Sequence, residues 1–220
     1  MDYGNMVSDS FAYAKDAVVG KWLQWLLLLI ATILLCLPLL GYTLKVLRGE
    51  KPAPEVTGWG TLFIDGIKYA VVSIIWAIPC LIVLFFGLGS FIGALATGKN
   101  PAVALSFLAG AMVFCVLFII LAIITGLLAT IGMVRFARTG SMGEAFNFGA
   151  ILETIGKIGW GTYIIALIVI FIVQLVISII LGIIMIIPVL GVIIEFILIA
   201  PITLLEARYI CQVYDAAGTV

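Results

Sequence analysis

Residues 160–205 read WGTYIIALIVIFIVQLVISIILGIIMIIPVLGVIIEFILIAPITLL, a run with one formal charge, Glu195. An α-helix rises about 1.5 Å per residue, so about 20 apolar residues cross the roughly 30 Å hydrocarbon core of a bilayer. This run is long enough for two crossings. Pro188 removes a backbone donor and Gly191 permits a turn near its middle. The stretch therefore predicts a hairpin of two membrane-spanning helices, near 160–187 and 189–211.

Working outward, three more long apolar segments appear, near 22–47, 69–96 and 102–134. The turn signal Thr97-Gly-Lys-Asn-Pro101 between the last two predicts a second antiparallel hairpin. The chain is 65% hydrophobic and 10% charged, against roughly 45–50% and 25% in soluble domains. The predicted architecture is an all-α polytopic transmembrane bundle of about five spans, forming a single integral membrane domain over 1–220.

Three segments have helical amphipathic spacing instead of continuous apolarity, near 8–21, 58–68 and 141–159. In the last, Phe148, Ile151, Leu152, Ile155 and Ile158 share one face, with Asn147, Glu153, Thr154 and Lys157 opposite. Ser141 followed by Glu144 resembles a capping box, and Glu153 to Lys157 is the favourable i,i+4 order. In the middle segment Trp59, Leu62, Phe63 and Ile67 oppose Asp65 and Lys68. These segments are expected to lie in the membrane interface. A faint internal repeat pairs Val19-Gly-Lys-Trp22 with Ile155-Gly-Lys-Ile158, and Leu37-Pro-Leu-Leu-Gly41 with Ile187-Pro-Val-Leu-Gly191.

Eleven basic and eleven acidic residues cancel, which argues against a nucleic-acid-binding surface. The chain contains no histidine, so histidine-dependent nucleophilic dyads, histidine-ligated haem and His-containing zinc sites are excluded. Cys36, Cys80, Cys115 and Cys211 fall singly in apolar segments, as small apolar filler does. Asp2 and Asp9 stand in place of a basic leader, and the apolar run from Trp22 is too long for a cleavable signal. The amino terminus is therefore expected to be retained.

With five spans, Lys45, Arg48, Lys51, Lys68, Arg135, Arg138, Lys157 and Arg208 fall on one side and Lys15, Lys21 and Lys99 on the other. The excess of basic residues places the first side, with the carboxyl terminus, in the cytoplasm. If Pro38 breaks the first span into a re-entrant element, the amino-terminal stretch is cytoplasmic too.

The stretch Gly41-Tyr-Thr-Leu-Lys-Val-Leu-Arg-Gly-Glu50, two prolines, and Trp59-Gly-Thr-Leu-Phe-Ile-Asp-Gly-Ile-Lys68 resemble an archaeal membrane family. That family is catalogued as a domain of unknown function, number four thousand and thirteen. Ala137-Arg-Thr-Gly140, Glu144-Ala-Phe-Asn-Phe148 and Ile187-Pro-Val-Leu-Gly191 are similar to its second half. The resemblance covers almost the whole chain. It implies an archaeal cell membrane location and a multi-pass helical fold, with no activity to carry over.

Candidate functional residues are few. Glu195 sits among Val192, Ile193, Ile194, Phe196 and Ile197, where a charge costs at least a few kcal/mol unless it is neutralised, paired or wet. With Gln174 and Ser178 it could form an intramembrane polar site, or it could snorkel past the Pro188 bend. Gln174 lies about twice as far from that bend. Gly87, Gly89, Ser90, Gly93 and Ala94 give a small-residue face for helix packing, within the chain or between copies. Trp59, Asp65, Lys68, Arg135, Arg138, Glu206 and Arg208 read as interfacial anchors, with ion pairs between helix ends as the sharper possibility.

The sequence therefore predicts a non-catalytic integral membrane protein, a self-associating scaffold or accessory subunit. The alternative is an ion or small-solute channel or transporter. The expected partners are membrane lipids and further copies or other membrane proteins, with no nucleic acid, cofactor or metal.

Overall fold

A computed structural model describes residues 1–34, 36–96 and 100–218. The predicted turn residues Thr97, Gly98 and Lys99 lie outside them. Every regular element among the described residues is helical: α1 (Tyr3–Val18), α2 (Trp22–Ile33), α3 (Leu37–Leu47), α4 (Trp59–Ala96), α5 (Pro101–Thr139), a 3₁₀ turn (Met142–Phe146), α6 (Phe148–Ile158), α7 (Trp160–Ile184) and α8 (Pro188–Asp215). Four of them, α4, α5, α7 and α8, are long and apolar enough to cross a membrane, and the bent pair α1 and α2 would make a fifth. The chain divides into two compact units, 1–70 with 131–220, and 71–130.

The first predicted span is not one helix. Pro38 has no N–H and its ring clashes with the carbonyl four residues back, which favours a kink or break there; α4 and α8 continue through Pro79 and Pro201, whereas here the helix ends. The chain turns at Cys36, which takes the left-handed conformation at φ 59°, and α3 starts with Pro38 in its first turn. The two short helices rise about 18 and 16 Å, each well short of a bilayer core. They are antiparallel: Gln24 in α2 donates to the Tyr42 hydroxyl in α3 at 3.3 Å and to the Pro54 carbonyl at 3.1 Å, and Tyr42 donates to the same carbonyl at 2.6 Å.

Two other expectations also change. The amphipathic segment near 58–68 does not end before the next span; both belong to the single helix α4, 38 residues long. Ser141 does not cap a helix with its side chain. Asn147 instead accepts from the Ala150 N–H and starts α6, and Glu144 accepts from Arg135 and Asn147.

Only the second block of the internal repeat has a structural counterpart. Pro38 and Pro188 each open a helix after a sharp turn, with Gly41 and Gly191 buried three residues on. Gly20-Lys21 lies between α1 and α2, whereas Gly156-Lys157 lies inside α6.

In the first unit, α3 crosses α4 with the backbones almost touching. A Cβ on Gly41 would fall on the Leu62 carbonyl oxygen, and one on Gly66 on the Leu37 carbonyl oxygen. Only glycine permits this approach. Helix α2 reaches α8 through Trp25, whose indole N–H donates to the Ile197 carbonyl at 3.2 Å. That carbonyl is free because its helical donor would be residue 201, which is Pro201.

In the second unit, α4 and α5 pack antiparallel. Gly87 and Gly93 face Phe114 and Phe107, Ser90 faces Gly110, and Phe86 stacks on Phe114 at 6.1 Å. The outward side chains are large and apolar, including Phe85 and Leu105.

Candidate functional site

The polar chemistry of the first unit gathers where helices end. The last carbonyls of an α-helix lack intrahelical donors and carry the negative end of its dipole. Helices α3 and α5 solve this for each other. Arg48, just past the end of α3, donates from Nε to the Ala137 carbonyl of α5 at 3.3 Å, and Arg138 in α5 donates from Nε to the Leu47 carbonyl of α3 at 3.0 Å. Gly49, at φ 89°, leaves room for the Arg138 guanidinium, which a Cβ there would meet at 2.9 Å.

Each of these guanidiniums then takes a carboxylate. Arg48 pairs with Asp65 of α4 at 2.7 Å, and Arg138 pairs with Asp215 of α8 at 2.6 Å while lying over the Tyr214 ring. Arg138 also donates to the Cys211 sulfur at 3.1 Å. Arg208 is almost wholly buried, its side chain 3% exposed; it holds Asp9 of α1 at 2.8 Å and lies over Tyr13. Arg135 binds Glu144. Every arginine of the chain is thus spent on a carboxylate within the chain, as its forked, weakly hydrated head favours. The Arg135 guanidinium, with Asn147, holds the Glu144 carboxyl below its ordinary value of 4.5.

Helix α1 is fastened across this end. Besides the Asp9 pair, Tyr13 donates to the Glu50 carbonyl at 3.1 Å, Tyr3 to the Thr162 carbonyl at 3.3 Å, and Gln212 to Met6 and Ser10.

The anticipated grouping of Glu195, Gln174 and Ser178 does not form. Gln174 instead donates to Glu206, further along α8, at 3.2 Å. Glu195 and Ser178 are exposed, and among the described residues nothing hydrogen-bonds or pairs with Glu195. Of the small-residue face, Gly87, Ser90 and Gly93 are turned to α5, and Gly89 faces open space. Among the interfacial residues, Asp65, Arg135, Arg138 and Arg208 form ion pairs between elements, and Lys68 approaches Asp65 at 4.0 Å. Trp59 starts α4.

Sequence reasoning missed Asp9, Asp215 and Tyr13 as partners. Nothing in their spacing relates them to arginines up to 199 residues away. Trp25 had one legible signal, the proline four residues beyond Ile197.

The family model described as Protein of unknown function (DUF4013) matches residues 25–187. The chain belongs to this family. The DUF4013 match includes Arg48, Asp65, Arg135, Arg138 and Glu144, and ends at the α7–α8 turn; Asp9, Arg208 and Asp215 lie beyond its limits. No curated protein and no solved structure matches the chain.

Proposed function

We propose that this DUF4013 protein is a non-catalytic, self-associating membrane scaffold or accessory subunit with both termini in the cytoplasm. The observation that carries the reading is how the polar groups are used. Each arginine holds a carboxylate inside the chain, and Arg48 and Arg138 also take the Ala137 and Leu47 carbonyls, while the α4–α5 hairpin of the second unit presents apolar side chains outward. That is the chemistry of a body that fastens itself together and meets lipid or other helices, with little left to bind a polar solute.

The sidedness follows from the short α2–α3 pair. With α4, α5, α7 and α8 as the crossings, every lysine and arginine except Lys99 falls on one side, a cleaner division than five spans give. The docking of α1 on α8 and on Glu50 supports the same side for the amino terminus.

Association is tested by native mass spectrometry from mild detergents, with Gly89→Leu as the variant. Gly89 is open, so the hairpin tolerates the change while a contact between copies through that face weakens. A monomer under every mild condition would overturn the scaffold. A channel or transporter remains the second reading, supported by the short helix pair and the Gln174–Glu206 contact; wild-type ion flux in proteoliposomes that Glu206→Gln alters would favour it.

A further inference from the structure

The turn between α7 and α8 differs from an ordinary membrane-surface loop. From Ile179 to Ile194 the chain has no polar side chain, and the turn lies inside that run. Its side chains point outward: Ile186 is 79% exposed and Val189 75%. By contrast, the sequence between α4 and α5 carries polar residues, Thr97, Lys99 and Asn100.

On its α7 side the backbone of the turn is bonded within the chain. The N–H groups of Met185, Ile186 and Ile187 donate to Leu181, Ile183 and Ile184 at 2.9, 3.2 and 3.1 Å. Gly191 donates to Ile187 at 2.8 Å, and Pro188 has no N–H to satisfy. The Val189 and Leu190 N–H groups, the first donors of α8, have no side-chain cap, and because an unmet group in hydrocarbon costs several kcal/mol, the backbone at the tip needs acceptors from headgroups or water. The turn is also tight: a Cβ on Gly191 would meet the Met185 Cα at 2.7 Å. From Pro188 to Arg208 the helix rises about 30 Å, the thickness of the hydrocarbon core, and ordinary helix tilt shortens that reach.

We propose that the α7–α8 turn anchors the hairpin in the far leaflet through its apolar side chains. Its backbone stays at the headgroup boundary, where the first N–H groups of α8 find acceptors, and Ile186, Ile187, Val189 and Leu190 pack on acyl chains. The hairpin is thus lipid-anchored at its tip and fastened by charge at its base.

The test is collision accessibility of a nitroxide on Val189→Cys, with the four native cysteines replaced by serine and the full chain in phosphatidylcholine liposomes. Asn100→Cys serves as the reference in the polar turn. The expected result at Val189→Cys is several-fold greater broadening by oxygen than by a water-soluble nickel chelate, with the reverse ratio at Asn100→Cys. Dominant nickel collisions at Val189→Cys would place the turn in water and overturn the proposal. Protection from both reagents would mean a protein partner covers it, which also overturns it. Should Val189→Cys fail to fold, Ile186→Cys gives the same readout from the other side of Pro188.

Discussion

At Gly41 and Gly66 a methyl group would land on the partner helix's carbonyl oxygen, and backbone cannot move aside as a flexible side chain can. Gly41→Ala is therefore expected to force α3 off α4 and destabilise the protein by about 1–3 kcal/mol, read as a lower melting temperature in detergent. Gly156→Ala, at an open position inside α6, should raise stability by about 0.5–1 kcal/mol; equal losses at both sites would sink the close-approach argument. Glu144 carries a second residue-scale expectation. Its folded pKa lies below the ordinary 4.5, so the stabilisation from Arg135 is complete above that value and is lost as pH falls through the depressed one. As pH falls below 4.5, wild type should lose stability more steeply than Glu144→Gln. Glu153, lowered in the same sense by Lys157, contributes equally to both proteins.

At the scale of elements, α2 is held to α8 by a defect. Pro201 strips the Ile197 carbonyl of its helical donor, and the Trp25 indole supplies a replacement. Leaving a buried acceptor unmet costs about 1–3 kcal/mol, so Trp25→Phe should be destabilising by that order. Pro201→Ala returns an N–H to the same carbonyl and makes the indole redundant. A double-mutant cycle should then show Trp25→Phe costing less beside Pro201→Ala; strict additivity would mean that the contact is incidental.

For the whole molecule, the proposed sidedness puts residues 15, 55 and 216 in one compartment. Single cysteines at Lys15, Glu55 and Ala216 should all resist an impermeant maleimide in intact cells and react after permeabilisation. Labelling of Lys15→Cys alone in intact cells would instead favour a chain whose amino terminus is outside. The fastening of α1, α3, α5 and α8 by Arg48, Arg138 and Arg208 also explains where the few charges of so apolar a chain sit. Placed at helix ends, they join elements that apolar contact alone would leave free to slide in lipid, where no hydrophobic force drives helix against helix.

The sequence by itself determined the all-helical class and the long apolar helices, because a run of about 20 uncharged residues has few other stable fates. It also marked the turns at Pro38 and Pro188, since a missing N–H is a local fact. Only the tertiary structure decided that Trp22–Leu47 is two helices folded back on themselves, that Gln174 meets Glu206 and not Glu195, and that each arginine has its particular carboxylate. Helix periodicity orders residues three or four apart, whereas Asp9 and Arg208 become neighbours only after α1 is laid across α8.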